Sequence, residues 1–397
     1  LTDMRELIGK TQKGELSEDE LLEIEKVALP TYGTCAMLGT ANSMSCLAEI
    51  LGLSLPHCGT APAVSSEKRR IARNSGKRIV QMIQEGLTAR KILTRDALLN
   101  GIAATMAMGA STNTVLHLMS IANEAGVHLE LNDFDRISRE VPYICNLKPS
   151  GKYPIVALHE IGGLPAVLKA IEGKLKDGHL TVTGKTLKEN LKNQELVEND
   201  IIYPLSAPKN PEGGIAILYG TLAPDGAVVK KSGVKPCMYQ FEGRARVFHS
   251  MEDASYAVSN DLIQEGDVIV IRYEGPKGGP GMREMHMTTS LLVGRGMDES
   301  CALITDGRFS GSTRGPCIGH ISPEAAEGGP IAAVEEGDRI RIDIPNRRLD
   351  LLVPQEVIEE RLKHVVPVYK ERTPSLAKYA SLVTSADKGA ILRIEKK

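Results

Sequence analysis

A stretch crowded with proline and glycine divides this sequence into two parts with different hydrophobic periodicity. It covers residues 195–214, where helical spacing of apolar residues stops and polar residues dominate. The interrupting residues are Pro204, Pro208, Pro211, Gly213 and Gly214. Because such residues end regular elements, and because 397 residues exceed one ordinary core, the pattern predicts separate domains. We place them at residues 1–200 and 201–368, followed by a carboxy-terminal tail at 369–397.

The first part carries apolar residues at helical spacing between glycine and proline breaks. Ser17 and Glu20 have the spacing of a capping box, which predicts a helix from there to about residue 30. Three further helices are predicted at residues 66–86, 94–109 and 113–125. Short apolar runs such as residues 155–158 could be strands between them, so the pattern favours an α/β fold.

The second part contains many short apolar runs at a spacing typical of a β-barrel. The runs are residues 215–219, 227–229, 245–248, 268–273, 302–305, 340–344 and 349–353. Two segments, 264–271 and 335–342, resemble each other, either as similar hairpin entries or as a true repeat. A closing helix is predicted at residues 354–364.

Charge and composition favour a protein that binds small molecules. A formal net charge of -2 gives no broad attraction to nucleic acid or to an anionic membrane surface. Hydrophobic residues make up 42% and charged residues 25%, the balance of a globular protein. Because no run of about 18 apolar residues and no charged-then-apolar leader is found, we expect no membrane partner and a cytoplasmic location.

The cysteines indicate neither a disulfide framework nor a self-contained zinc site. Their number is seven, which is odd, and none forms a CxxC pair. The nine histidines form no HExxH or similar cluster. Most of the cysteines are therefore expected to be small buried side chains.

Cys35 is the cysteine with the most suggestive surroundings. It lies among small residues in the segment 33–44, which leads into a predicted helix. A helix amino terminus stabilises a thiolate, which suits a nucleophile or a metal ligand. Taken alone, however, a cysteine of this kind is more often simply buried.

A glycine-rich loop at residues 274–285 follows the predicted strand at 268–273. Its four glycines and two prolines form a backbone that can approach a ligand closely and present N–H groups to it. Glu284, near the end of this loop, suits a hard metal ion. An ordinary surface turn with a solvated glutamate is an equally good interpretation of the spacing.

A second loop, residues 304–315, continues directly from another predicted strand. It contains Arg308, Arg314 and several hydroxyl side chains, so one residue could bind a carboxylate and another could move a proton. Ser310 is the candidate for the residue that moves the proton. A loop serine more commonly caps a turn through its hydroxyl, and this alternative stays open.

Together and in this order, the three segments resemble the family of dihydroxy-acid dehydratases and the related sugar-acid and phosphogluconate dehydratases. The resemblance extends over nearly all of residues 30–366 and includes Asn113, 147–152, 159–163 and 319–325. Within the family, the loops are most similar to the branched-chain amino-acid enzyme. The resemblance implies an incomplete Rossmann-like α/β domain followed by a β-barrel-like domain, assembled as a homodimer or a dimer of dimers.

The resemblance also implies an activity and its cofactors. The family enzyme is a hydro-lyase that converts a 2,3-dihydroxy acid to a 2-keto acid, here in valine and isoleucine biosynthesis. Cys35 matches one of three cysteines that hold an iron-sulfur cluster, with 2Fe-2S favoured over 4Fe-4S. Glu284 matches a ligand of Mg²⁺, and Ser310 matches the proton acceptor.

The family's remaining metal ligands have no counterpart in this sequence. Its two other cluster cysteines, and the Asp and carbamylated Lys that share the magnesium, belong to upstream motifs; Cys46 and Cys58 do not match them. We therefore expect an amino-terminally truncated sequence, inactive alone if those motifs are absent. Two alternatives stay open: a sugar-acid or phosphogluconate dehydratase, and a truncated non-catalytic binding module.

Overall fold

The chain forms two compact units, Pro30–Ile215 and the combination of Leu1–Leu29 with Ala216–Lys397. The computed structural model describes residues 2–29, 31–366, 368, 370 and 372–393, with side chains from residue 7 onward. The boundaries of the two units differ from those of the predicted domains. Residues 201–215 belong with the first predicted domain, and helices α1 (Thr2–Gln12) and α2 (Glu18–Val27) belong with the second.

In the unit Pro30–Ile215, the regular elements among the described residues are helices. Its helices are α3 (Thr40–Ile50), α4 (Ser66–Glu85), α5 (Ala89–Ile92), α6 (Arg95–Met108), α7 (Asn113–Ala125), α8 (Leu131–Glu140), α9 (Ile155–Glu160), α10 (Gly163–Ala170) and α11 (Leu187–Leu191), with a 3₁₀ turn at Glu172–Lys174. Helix α6 is the most buried of them and packs against α3, α7, α8 and α10.

Side-chain caps begin the helices where the sequence predicts them. The Ser17 hydroxyl accepts a hydrogen bond from Glu20 N at 3.2 Å, and the Glu20 carboxylate accepts one from Ser17 N at 2.9 Å. Thr94 caps α6 in the same way through Ala97 N at 3.3 Å. Glycines with positive φ end α4 and α6. The four predicted helices are confirmed as α2, α4, α6 and α7.

The strand expected at residues 155–158 is wrong, because this segment is helix α9. Ile155 and Leu158 are buried while Val156 is exposed, and a spacing of three places the two buried residues on one helical face. The described residues of this unit form isolated β-bridges but no strand, so a Rossmann-like sheet is not observed in them. The α/β class is confirmed for the chain as a whole, since the sheet lies in the other unit.

The unit that contains Ala216–Lys397 is built on an eight-stranded, barrel-like sheet, as predicted. Its strands are β1 (Ala216–Leu218), β2 (Gly226–Val229), β3 (Gln240–Phe248), β4 (Asp267–Ile271), β5 (Ala302–Thr305), β6 (Cys317–Ser322), β7 (Arg339–Asp343) and β8 (Arg348–Leu351). Their order is β1-β2-β6-β5-β4-β3-β7-β8. A short bridge between Tyr219 and Arg348 joins the two ends of this order and nearly closes the barrel.

Strands β3, β4, β5 and β6 are parallel neighbours, and β4, β5 and β6 are buried along their whole length. In β4, Val268 and Val270 pack in one apolar cluster, whereas Ile269 and Ile271 pack in another. Because both faces are covered, the strand is a continuous apolar run rather than an alternating one. Besides α1 and α2, the α-helices of this unit are α12 (Met251–Ser259), α13 (His286–Gly294), α14 (Gln355–His364) and α15 (Pro374–Leu382).

Several details of this unit extend or correct the sequence prediction. Helix α14 confirms the closing helix, while β6, α12 and α13 were not predicted. The tail proposed from residue 369 contains α15 among its described residues. The two similar segments share one turn, in which Asp267 and Asp338 accept a hydrogen bond from the backbone N–H three residues earlier, at 2.9 and 2.8 Å. No helix in the described ranges is long and apolar enough to cross a membrane.

We predict opposite stability effects for two glycine-to-alanine substitutions. A Cβ added at Gly243 in β3 would lie 2.4 Å from the carbonyl oxygen of Gly266, so Gly243→Ala should lower the free energy of unfolding by about 2 kcal/mol. Gly76 lies inside α4 with open space around it, so Gly76→Ala should stabilise the protein by roughly 1 kcal/mol. Calorimetric melting of both variants tests this; an unchanged melting temperature for Gly243→Ala would contradict the close approach.

Candidate active site

Two predicted loops lie side by side at the carboxyl ends of parallel strands β4 and β5. Ile271, the last residue of β4, is paired with Thr305, the last of β5. Beyond these strands Glu284 and Arg308 form a parallel β-bridge. Arg308 N donates to Arg283 O at 3.1 Å, and Met285 N donates to Arg308 O at 2.8 Å. The structure therefore joins the loop that carries Glu284 to the loop that carries Ser310.

The carboxylate of Asp306 fastens these loops to a third one. Asp306 is fully buried and accepts hydrogen bonds from Tyr273 N at 3.0 Å, Glu274 N at 2.9 Å and Ala325 N at 3.0 Å. Burial raises the pKa of Asp306, and the three backbone N–H groups oppose that shift. One side chain thus sets the relative positions of the loops that follow β4, β5 and β6.

Two further buried carboxylates lie against the glycine-rich loop. Glu324 accepts hydrogen bonds from Lys277 N and Gly278 N, both at 2.8 Å, and burial raises its pKa to about 7. Glu274 is 0% exposed and pairs with the Lys370 ammonium at 2.8 Å. A Cβ at Gly279 would lie 2.6 Å from Glu274 Oε2, so glycine leaves the space that this carboxylate occupies.

Ser310 is half-buried in a loop held by internal hydrogen bonds. The Ser312 hydroxyl donates to Ser310 Oγ at 3.2 Å, and Thr313 donates to Ser310 O from its N at 3.1 Å and from its Oγ1 at 2.7 Å. The buried ammonium of Lys230 donates to Gly311 O at 2.8 Å, and burial lowers the pKa of Lys230 to about 7. A cation therefore lies one peptide away from Ser310.

Cys35 belongs to the helical unit, in a segment pinned by one side chain. The Asn42 amide donates to Cys35 O and to Met37 O, both at 2.7 Å, and the Thr34 hydroxyl donates to Asn42 Oδ1 at 2.7 Å. Helix α3, which holds Asn42, begins at Thr40, so Cys35 precedes the helix by several residues rather than lying in its first turn. Cys35 is half-buried, with a free thiol.

The described residues supply single donors for a metal rather than a complete set. In the ranges that the structure describes, no three His, Cys, Asp or Glu side chains are grouped so that they could hold a metal ion. Glu284 is half-buried at the end of its loop, in the barrel unit, whereas Cys35 is in the helical unit.

Comparison with known families covers both units. Residues 1–190 match the family described as dihydroxy-acid/6-phosphogluconate dehydratase N-terminal, and residues 200–390 match its C-terminal counterpart. The chain belongs to this dehydratase family. It is accordingly an enzyme of the hydro-lyase class, which removes water from its substrate.

Curated members of the dehydratase family are similar over almost the whole chain. A dihydroxy-acid dehydratase of Geobacter metallireducens is 54% identical over 396 residues, covering 100% of this chain and 71% of the relative. The Pyrococcus furiosus protein of the same name is 52% identical over 390 residues, covering 98% and 71%. That of Methanothermobacter thermautotrophicus is 51% identical over 394 residues, covering 99% and 72%.

Sequence inspection missed three residues that organise the dehydratase loops. Asp306 and Glu324 are charged residues directly after buried strands, at the edge of the sheet where functional side chains collect. Lys230 directly follows the apolar run of β2. That run indicates that the position is buried, but nothing in it indicates the contact with Gly311. These contacts join residues far apart in sequence, so spacing alone did not reveal them.

We predict that Glu324 makes stability depend on pH. Its folded pKa of about 7 lies above the ordinary value of 4.5, so the folded state binds more protons between these values. The group therefore lowers the free energy of unfolding as pH rises through that window. Between pH 5 and 7.5, the free energy of unfolding of wild type should fall by up to about 3 kcal/mol more than that of Glu324→Gln. Urea unfolding at each pH measures this difference.

The buried Glu49 of the helical unit, whose pKa burial also raises to about 7, contributes to the same wild-type slope. For that reason the quantity to compare is the difference between wild type and variant at each pH. Glu356→Gln, at an exposed position of α14, is the control and should reproduce the wild-type slope. Equal slopes for wild type and Glu324→Gln would contradict the prediction.

We also predict that Asn42→Ala exposes Cys35. Losing hydrogen bonds worth about 1 kcal/mol each should ease local opening, so iodoacetamide should alkylate Cys35 roughly tenfold faster. Mass spectrometry of the Cys35 peptide measures the rate. Asn123→Ala, at the exposed end of α7, is the matched control and should leave it unchanged; an unchanged rate in Asn42→Ala as well would show that the amide does not restrain the segment.

Proposed function

We propose that this dehydratase converts 2,3-dihydroxy carboxylic acids to 2-keto acids in the biosynthesis of valine and isoleucine. The observation that carries the proposal is the bridge between Glu284 and Arg308, which places a candidate metal ligand beside the loop of a candidate proton acceptor. The names of the curated relatives support the substrate class, since each is called a dihydroxy-acid dehydratase.

The reaction requires removal of the C2 proton and departure of the C3 hydroxyl. In the proposal, the alkoxide of Ser310 accepts the C2 proton, the C3–O bond breaks, and the departing hydroxide takes the proton from the Ser310 hydroxyl and leaves as water; the resulting enol then tautomerises to the 2-keto acid. A serine alkoxide forms only where nearby positive charge lowers the pKa of the hydroxyl. Lys230, which donates to Gly311 O, and Arg308, two residues before Ser310, are this chain's candidates for that charge; because burial lowers the pKa of Lys230 to about 7, its contribution depends on pH.

For the cofactors, we propose Mg²⁺ with Glu284 as one ligand and an iron-sulfur cluster, of the 2Fe-2S type, with Cys35 as one ligand. Glutamate oxygen and cysteine sulfur suit these metals respectively. Bound there, the metals would supply Lewis acidity for an enolate and for a leaving hydroxide. The described residues add one ligand to each site and do not complete either, so the steps above use only the protein's own groups.

The proposal extends to assembly and location. We propose a cytoplasmic enzyme that works as a homodimer or a dimer of dimers on a free small-molecule acid. The net charge of -2 supports a small-molecule substrate rather than a polyanion.

We predict that Ser310→Ala abolishes turnover without loss of metal. In the full-length protein reconstituted with iron, sulfide and Mg²⁺, kcat should fall by about 10³-fold or more, while visible absorbance is retained. The assay measures 2-keto acid formation from 2,3-dihydroxy-3-methylbutanoate. Ser375→Ala, at an exposed position of α15, is the control and should keep wild-type kcat.

A parallel assay with gluconate and 6-phosphogluconate separates this function from a sugar-acid or phosphogluconate dehydratase. If the protein dehydrates only gluconate or 6-phosphogluconate, the substrate is a sugar acid rather than the proposed dihydroxy acid. If it dehydrates none of the three acids, the proposed function is rejected. Loss of visible absorbance in Ser310→Ala would make Ser310 a structural residue instead.

A further inference from the structure

The guanidinium of Arg308 has no partner in the part of the chain that the structure describes. The side chain is half-buried, and its Nε atom is buried without a hydrogen bond. Its terminal nitrogens form no hydrogen bond or ion pair with a described residue and, unlike Nε, are not buried, so they are accessible to a ligand. Because a cation that leaves water loses hydration energy, a half-buried guanidinium without an acceptor is unfavourable for the fold.

Neighbouring arginines show how the fold usually satisfies such a group. Arg272 and Arg372 also have a buried Nε without a partner, yet their terminal nitrogens bind backbone carbonyls. Arg272 Nη1 donates to Ala332 O at 2.5 Å, and Arg372 Nη2 donates to Lys277 O at 2.7 Å. Arg314, in the same loop as Arg308, also has a contact within the chain. Arg308 differs from all three.

The backbone of Arg308 is held by hydrogen bonds, whereas its guanidinium has no partner among the described residues. Its backbone bonds to Arg283 O and Met285 N hold it beside Glu284. Along the next residues burial alternates, since Arg308 and Ser310 are half-buried and Phe309 between them is buried. In an extended segment this alternation indicates that Arg308 and Ser310 face the same side of the chain.

Two buried carboxylates of the neighbouring loops, those of Glu324 and Asp306, already accept backbone hydrogen bonds. Burial raises the pKa of the Tyr379 phenol, with the charge of Arg308 opposing the shift and the charge of Glu324 adding to it. Arg308 and Glu324 therefore both act on the same residue of α15, Tyr379. The two oxygens of Glu324, however, accept backbone hydrogen bonds at 2.8 Å, and Asp306 is occupied by three N–H groups.

We infer that Arg308 binds the carboxylate of the substrate, which rests on the proposed function for the class of acid. A planar guanidinium binds a carboxylate through two parallel hydrogen bonds, and such charge-assisted bonds are among the stronger ones in proteins. The C2 carbon of a 2,3-dihydroxy acid is bonded directly to that carboxylate. An acid held by Arg308 would thus present its C2 proton to the side of the loop that Ser310 faces.

Calorimetric titration tests the inference without turnover. The full chain, in buffer with Mg²⁺, is titrated with 3-methyl-2-oxobutanoate and with its methyl ester, which has the same shape without the charge. Arg308→Met should weaken binding of the acid by about 100-fold, and Arg308→Lys by about tenfold. Binding of the ester should change less than about twofold in both variants.

Thermal stability separates ligand binding from a structural role. Because no group among residues 2–29, 31–366, 368, 370 and 372–393 pairs with this guanidinium, Arg308→Met should melt at the wild-type temperature or above it. The comparison variant is Arg361→Met, whose guanidinium pairs with Asp338 at 2.6 Å and should be needed for stability. A fall in melting temperature for Arg308→Met as large as for Arg361→Met would overturn the inference.

The outcomes distinguish this inference from the proposed function. If the wild-type chain binds the acid through Arg308 but dehydrates no dihydroxy acid, the carboxylate site stands and the proposed function fails. If the wild type dehydrates the substrate while Arg308→Met binds acid and ester as before, the inference fails and the function stands. A wild-type chain that does not prefer the acid to its ester overturns the inference as well.

Discussion

The arrangement of the candidate active site depends on one buried carboxylate, that of Asp306. Three backbone N–H groups from two other loops donate to it, and each loop follows a different strand of the parallel part of the sheet. A strand end is fixed by its ladder, but a loop beyond it has no ladder to follow. Asp306 fixes these loops instead. Leaving its buried carboxylate without hydrogen bonds would be unfavourable, and this favours the loop conformations that supply the three N–H donors.

Glycine makes the dense packing of carboxylates around Asp306 possible. Glu274 and Glu324 are buried where side chains at Gly279 and Gly275 would otherwise lie. Glu324 accepts hydrogen bonds from backbone N–H groups of the glycine-rich loop, whereas Glu274 forms an ion pair with Lys370, beyond α14, and its Oε2 accepts no hydrogen bond from a described residue. The loop that carries Glu284 is thereby packed against buried carboxylates whose charge is offset, by Lys370 for Glu274 and by the raised pKa values of Asp306 and Glu324.

The two units hold their candidate residues by different means. In the barrel unit, Glu284, Arg308 and Ser310 are positioned by backbone bridges and buried charges between loops. In the helical unit, Cys35 is positioned by a single amide side chain, Asn42, which bonds two carbonyls of its segment from the first turn of α3. An amide suits this task because its NH₂ group has two donors and its oxygen accepts a further hydrogen bond.

The sequence by itself determined the features that depend on neighbouring residues. The capping box of Ser17, the glycine stops of α4 and α6 and the apolar runs of the barrel strands other than β6 are local patterns, and the structure agrees with them. The short run at residues 155–158 was misjudged because four apolar residues fit either a strand or a helix. Only the tertiary structure decided which carboxylates are buried, that Lys230 reaches the Ser310 loop, and that the Arg308 guanidinium has no partner in the described part of the chain. These properties arise from contacts between distant segments and from the loss of water around them, and neither is encoded in local spacing.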